Sequence, residues 1–379
     1  MVGARALARG RIAPQGLITA TPLFAGVPLV DFPRMVFGGH EVRRGTLGGS
    51  AEEIARENGT IPATLLAGLR ADLARADAEV RRGTLVNAGR AIDRLAGARA
   101  GRRVRLRAEA RRLQGHLRAF LRRHRLEHCV CVNLASTEPQ LELTPRHRSA
   151  AGIEQILDQD RVREVRPSLL YAYAAASLGQ SFVHFTPSNA ALVPGIQELF
   201  ALRGAPFMGR DGKTGETLVK SSLAPLFKYR NLRVLAWQGY NMLGDRDGAI
   251  LAEAENKRTK VATKDSLLAR ILGYAPHSHV GIDYVPSLGD LKTAWDFIHF
   301  EGFLGHRMAM EFTWHGCDAI LAAPLVLDMV RLADLARRRG EAGAMPHLAC
   351  FFKQPEGVPE QDLHAQWHML VEYARAARA

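Results

Sequence analysis

The sequence predicts an α/β protein, a parallel sheet covered by helices and followed by a separate mixed α+β unit. Short apolar runs alternate with helical stretches between residues 128 and 203, and the connections are short. From about Leu218 the pattern changes to longer alternating runs that read as a different architecture. With 379 residues and 47% hydrophobic content, the chain is long enough to bury one large core or two moderate ones.

The elements follow in order. "RAGRRVRLRAEARRLQGHLRAFLRRHR" brings Leu106, Leu113, Leu117 and Phe120 to roughly helical spacing, so it reads as an amphipathic helix with a solvated basic face. "HCVCVNLASTEP" is a strand that runs into a polar loop and stops at Pro139; "PSLLYAYAAASLGQ" is a helix opened by Pro167 and Ser168 and closed near Gly179. "SFVHFTPSN" and "AALVPGIQELFALRG" repeat the strand and helix. Ligands of such sheets sit at the carboxyl ends of strands, which makes Ser136, Thr137, Thr186 and Ser188 candidate binding residues. "FMGRDGKTGETLVKSSLAPLF" is a short strand, a glycine-rich loop and a helix; the loop is either an anion site at a helix start or a tight left-handed turn. It is not a P-loop, because only Arg210 and Asp211 separate Gly209 from Gly212-Lys213-Thr214.

Farther on, "LRVLAWQGYN" and "HVGIDYVPS" read as strands, and "KDSLLARILGY" and "DLKTAWDFIHFEGFLG" as helices. In the last of these Asp290 is the expected N-cap. Lys292 then falls in the first turn, where a cation is mildly unfavourable; that marks either a functional position or a solvated lysine that tolerates the cost. "RMAMEFTWHGCD" alternates as a strand, with Met308, Met310, Phe312 and Trp314 on one side. "AILAAPLVLDMVRLADLARRRG" is a helix, and "HLACFFKQP" is a last strand that rejoins the first sheet with Lys353 at its end. The turn holding Asn241, Asp245 and Asp247 leads to Lys260 and Lys264, which local chemistry alone reads as a loop and a solvated helix start.

Composition narrows the classes. The net charge of +13 is concentrated in the arginine-rich helix, but neither a recognition motif nor a set of stacking aromatics accompanies it, so nucleic acid is not an expected partner. No apolar run approaches the length of a membrane span and the first residues lack a signal-type apolar core; a soluble, cytoplasmic protein with no membrane partner is expected. The four cysteines include a C-x-C but no C-x-x-C or His-spaced set. His277, His279, His299 and His315 lack metal spacing, and Cys317 has no histidine partner in the sequence.

Taken together, "GLITATPLFAGVPLVDF", "FGGHEVRRG", "VNLASTEP", "PSLLYAYAAASLG", "HFTPSN", "RDGKTGETLVKS", "GYNMLGDRDG", "GIDYVPSLGDLKTAWD", "LAAPLVLDMVRLA" and "ACFFKQP" resemble the myo-inositol-1-phosphate synthase family, particularly its bacterial members. The resemblance implies a Rossmann-like NAD-binding domain with an inserted α+β catalytic and tetramerisation domain. The implied divisions are 1–217, 218–320 and a return to the first domain at 321–379. It implies an NAD-dependent isomerase of inositol biosynthesis that cyclises glucose 6-phosphate to 1D-myo-inositol 3-phosphate by oxidation at C5, enolisation at C6, intramolecular aldol attack on C1 and reduction. Matched to the family pattern, Lys260, Lys264, Lys292, Lys353, Asn241 and Asp290 fall at catalytic positions. Asp211, Thr214, Asp247 and Asp318 fall at positions lining the cofactor or substrate cleft. A homotetramer is implied, as is a divalent or monovalent cation whose site the sequence leaves unassigned.

One departure stands out. The family opens with a strand and a glycine-rich loop that grips NAD, and no G-x-G-x-x-G occurs here. "MVGARALARGRIAPQGLITATP" resembles the end of the following helix and the next strand, so the expectation is an N-terminally incomplete first domain. The competing expectation is a catalytically impaired paralogue that acts as a basic binding or scaffold protein.

Overall fold

A computed structural model describes residues 1–97, 104–245, 248 and 267–378. Its strands, in chain order, are β1 (Gly39–Glu41), β2 (Val80–Arg82), β3 (Val130–Asn133), β4 (Ser181–His184), β5 (Pro206–Gly209), β6 (Arg233–Leu243), β7 (His277–Tyr284), β8 (Lys292–Glu301), β9 (Arg307–Gly316) and β10 (Gly343–Ala344). The first two form a small parallel pair. A four-stranded, all-parallel sheet has the order β10-β5-β4-β3, and a second sheet has the order β7-β6-β8-β9.

Every residue of β4 and β5 is buried, as expected of parallel strands covered on both faces. Phe182 and Phe207 face one layer, built from the helices Leu106–His124, Ala150–Asp158, Pro167–Ser177 and Pro194–Leu202. Val183 and Met208 face the other, where the helices Asp318–Arg338 and Leu363–Ala376 pack. This layering is the α/β architecture expected from the alternating pattern. The arginine-rich segment is the expected amphipathic helix, burying Leu106, Ala110 and Leu113.

Two elements differ from expectation. "DLKTAWDFIHFEGFLG" is not a helix: Lys292 opens β8, which pairs antiparallel with β6 and β9. Its burial alternates strictly, with Lys292, Ala294, Asp296, Ile298 and Phe300 inward. Two polar residues on the inward face conceal the strand period, while Asp290 imitates a helix cap. It lies instead in a turn after Pro286–Leu288, so the cap reading is wrong. "HLACFFKQP" is likewise no strand. Pro346–Phe351 forms a 3₁₀ helix in which every residue from 347 to 351 is buried, which leaves an apolar run without a period. The first sheet is rejoined by β10, beside β5.

The second sheet buries one face against the helix Glu216–Tyr229. Ala224 and Phe227 there meet Trp237, Ile298 and Phe300, together with Leu267, Leu268, Ile271 and Leu272 of a helical stretch over 267–272. Among the described residues no helix is long and apolar enough to cross a membrane.

Three histidines, His184 and His347 buried and His40 half-buried, give the fold an acid limit. Burial lowers His40 and His184 to about 4 and His347 to about 3, from 6.5. The unfolded chain therefore binds more protons between about pH 6.5 and those values. Stability is fully present above about 6.5 and falls as pH drops through this window, by several kcal/mol in aggregate at roughly 1.4 kcal/mol per tenfold change in proton affinity. Urea unfolding between pH 7.5 and 4 measures it. His347→Phe, which cannot bind a proton, is expected to flatten part of the slope; an unchanged slope would remove His347 from this account.

Candidate active site

The glycine-rich loop between β5 and the helix Glu216–Tyr229 is where the expected residues gather. Its backbone pairs with the segment after the 3₁₀ helix: Lys353 N–H donates to Asp211 O at 2.8 Å, Lys213 N–H to Phe351 O at 2.8 Å, and Gly212 bridges Phe352. Lys353 Nζ also donates to Asp211 Oδ1 at 2.7 Å, so one residue pair is joined through both main chain and side chain. Asp211 holds φ at 63°, a left-handed conformation uncommon for a non-glycine residue and found where surrounding contacts impose it.

Asp211 ties this loop to the strand ends, because its N–H donates to Thr186 O at 3.1 Å. Thr186 Oγ1 is buried without a hydrogen-bond partner, at the carboxyl end of β4 where a parallel sheet takes its ligands. Ser188 Oγ accepts from Glu138 N–H at 3.0 Å, which brings the Ser136–Thr137 loop alongside. His184 links the same loops. Its Nε2 meets the Ser188 carbonyl at 2.7 Å and its Nδ1 meets Asn133 Nδ2 at 3.1 Å, the pattern of a neutral ring that donates through Nε2.

On the other side of the loop, Lys292 Nζ lies 2.8 Å from Asp318 Oδ1, and Thr214 Oγ1 donates to the same oxygen at 3.1 Å. Register places Lys292 opposite both Leu243 of β6 and Gly316 of β9, so the strand start is fixed from both sides. Asp318 is in the first turn of its helix, where the dipole favours a carboxylate. Gly215 gives the ammonium its place: a Cβ there would stand 2.2 Å from Lys292 Nζ and would force the lysine tip to move. Asn241, two residues from the end of β6, is buried beside this cluster and donates through Nδ2 to Glu216 Oε2 at 2.5 Å. Lys260, Lys264 and Asp247 lie outside the described residues.

A family model described as myo-inositol-1-phosphate synthase matches residues 4–375. The chain belongs to the myo-inositol-1-phosphate synthase family. It is 36% identical over 275 residues to inositol-3-phosphate synthase 1 of Bacteroides thetaiotaomicron, covering 69% of this chain and 64% of that protein. To inositol-3-phosphate synthase 1 of Rattus norvegicus it is 34% identical over 223 residues, 56% of this chain and 40% of the relative. The chain thus spans less than two thirds of the length of these curated relatives. In fold it is similar to inositol-3-phosphate synthase of Caenorhabditis elegans, with a TM-score of 0.88 at 21% identity over 100% of this chain and 83% of the other. It is also similar to a myo-inositol-1-phosphate synthase-related protein of Thermotoga maritima, with a TM-score of 0.79 at 23% identity over 98% of this chain and 94% of the other.

In this member of the synthase family the cluster holds charged groups that the sequence reading passed over. Lys213 is 1% exposed, donates to Gln366 Oε1 of the C-terminal helix at 2.8 Å, and is lowered to about 8 by burial and by the charge of Lys353. Glu216, Lys220 and Asp296 are all buried around Asn241. The i, i+4 spacing of Glu216 and Lys220 is visible in the sequence, but it is equally the spacing of a solvated surface pair, and only burial tells the two apart.

Proposed function

We propose that the chain is an inositol-3-phosphate synthase, which cyclises D-glucose 6-phosphate to 1D-myo-inositol 3-phosphate with NAD. The observation that carries the reading is the pair of lysine–carboxylate contacts, Lys353–Asp211 and Lys292–Asp318, on the two sides of one glycine-rich loop in a chain of this family. NAD, when bound, supplies hydride acceptance and return. Thr186, whose buried hydroxyl lacks a protein partner, fits such a group, and Ser136, Thr137, Ser188, Asp211, Thr214, Asp247 and Asp318 are the residues proposed to line it.

The protein's own part is electrostatic. Enolisation and ring closure each build negative charge on oxygen, and fixed ammonium groups in a site closed to water stabilise that charge without reorganisation. Lys292 is 6% exposed and Lys353 is 9% exposed, which suits both for this role. Their carboxylate partners hold each Nζ at one point. Lys260 and Lys264 are proposed to complete the phosphate and oxyanion contacts, with Asn241 and Asp290 at the sugar hydroxyls. The cation is left unassigned; among the described residues no group of three His, Cys, Asp or Glu side chains is placed to hold a metal.

The division at 1–217, 218–320 and 321–379 is supported by β10, which returns to pair with β5 after the second sheet. A homotetramer is supported by that sheet's outer face, where Tyr240, 40% exposed, begins a row with Trp295, Phe297 and His299 at ring separations of 5.9, 6.4 and 6.2 Å.

The test is to incubate the chain with glucose 6-phosphate and NAD and follow inositol phosphate by phosphorus NMR. Product is expected, without net reduction of NAD. Its absence, both from this chain and from a version extended at the N-terminus, would favour the scaffold reading. That reading predicts salt-sensitive binding of polyanions through Arg111, Arg118 and Arg122.

A further inference from the structure

Behind the proposed site lies a buried charge network that the synthase reading does not use. Glu216 and Lys220 stand one turn apart on the helix Glu216–Tyr229, each 2% exposed, with Lys220 Nζ 2.5 Å from Glu216 Oε1. Lys220 also lies 3.7 Å from Oδ1 of Asp296, which is 0% exposed and accepts from Trp237 Nε1 at 2.8 Å. The second oxygen of Glu216 accepts from Asn241 Nδ2 at 2.5 Å. Gly239 leaves room for the arrangement, since a Cβ there would come within 2.3 Å of Glu216 Oε1 and 2.9 Å of Lys220 Nζ.

Burying two carboxylates and an ammonium at a helix–sheet contact is a poor way to gain stability, because apolar side chains of similar size fill such a space without the desolvation cost. The same contact a turn away is made by Ala224, Phe227, Ile298 and Phe300. What the network does is fix an amide. Lys220 holds Oε1 of Glu216, which sets the plane of the carboxylate and leaves Oε2 for Asn241. The Asn241 NH₂ group then faces two protein acceptors, Glu216 Oε2 and, at 3.5 Å, Gly281 O. A carboxylate has no hydrogen to give, so the reverse orientation of the amide is excluded.

We propose that Glu216, held by Lys220, is a positioning residue that turns Asn241 so that its Oδ1 accepts a hydrogen bond from a ligand hydroxyl. The inference rests on the synthase reading and adds a specificity to it. At this position the site takes a donor, a sugar hydroxyl, and disfavours a ketone or a phosphate oxygen, which only accept.

The experiment compares the full chain with Glu216→Gln, Asn241→Ala and the double variant, using glucose 6-phosphate and NAD. Glu216→Gln can present an NH₂ to Asn241 and invert its amide; kcat/KM is expected to fall about 10- to 100-fold, the range found when a residue that only orients a contacting group is lost. If Glu216 acts through Asn241, the double variant falls no lower than Asn241→Ala alone. NAD affinity is expected to stay within threefold. Penalties that multiply, or a folded Glu216→Gln with unchanged kcat/KM, would overturn the assignment. Glu216→Asp keeps the charge balance but withdraws the acceptor by one methylene, and is expected to lower kcat/KM in the same direction should Glu216→Gln fold poorly. A crystal structure of either variant reads the Asn241 contacts without any turnover. Unchanged contacts to residues 216 and 281 would refute the positioning role, whereas absence of product from the parent chain would refute the synthase reading.

Discussion

Lys292→Met is expected to lower kcat for inositol phosphate formation by about 10²- to 10³-fold, the range found when one preorganised electrostatic contact is removed from a site. Methionine keeps the length and most of the volume of the lysine stem, so the inward face of β8 stays packed against Ala294 and its neighbours. What disappears is an ammonium that Asp318 holds at 2.8 Å beside the first residues of the helix Glu216–Tyr229. In the proposed reaction the charge it would stabilise arises only during enolisation and ring closure, so KM for glucose 6-phosphate is expected to change by no more than a few-fold. Thr214 still donates to Asp318, which limits the effect on the empty site. Steady-state kinetics with inositol phosphate followed by phosphorus NMR would settle the matter. A kcat within tenfold of the parent would mean that Lys292 serves only the Asp318 ion pair.

The largest expected effect on stability lies far from that loop. Asp328, 0% exposed in the middle of the helix Asp318–Arg338, accepts from Ile18 N at 2.8 Å, Thr19 N at 3.0 Å and Thr19 Oγ1 at 2.6 Å. Arg331 completes the clamp, donating to Thr19 Oγ1 at 2.6 Å and to Val30 O at 3.0 Å. Burial raises the pKa of Asp328 against the pull of these donors and of Arg331. Asp328→Ala leaves two N–H groups and a hydroxyl without their common acceptor and takes away the buried charge that faces Arg331, at an expected cost of about 3–5 kcal/mol at pH 7. Because the contact spans the chain from residue 18 to residue 328, the loss is expected to free the segment around residues 17–31. Denaturant unfolding with hydrogen exchange measures both. A cost below about 1 kcal/mol, with no added exchange in that segment, would show that the packing of Leu17, Phe24 and Val27 holds it alone.

Much of the first sheet is legible in the sequence because parallel strands covered on both faces are short apolar runs with sharp boundaries. Pro139, Pro167 and Gly179 mark the ends of the expected elements; β3 and β4 lie inside the runs that name them, and β5 begins one residue before its run. The second sheet is harder to read. β8 carries Lys292 and Asp296 inward, the reverse of the pattern that announces a half-buried strand, and an Asp before the run completes the imitation of a helix. The same inversion hides the network around Asn241: a glutamate, a lysine and an aspartate in amphipathic segments are read as solvated until their burial is known.

By itself, the sequence determined the family and the order of the α/β elements, since turn residues and apolar periods are local properties. It also marked Lys292, Lys353, Asp211, Thr214 and Asp318 as residues to watch, through motifs kept in order over most of the chain. Only the tertiary structure decided which of them meet. Lys353 reaches Asp211 across 142 positions, and Asn241 is turned by Glu216 across 25. Pairings of that kind depend on how two sheets and their covering helices pack. A charge that water solvates freely is costly to bury unless partners replace that water, so the same residue letter stands for a solvated ion or for a held one.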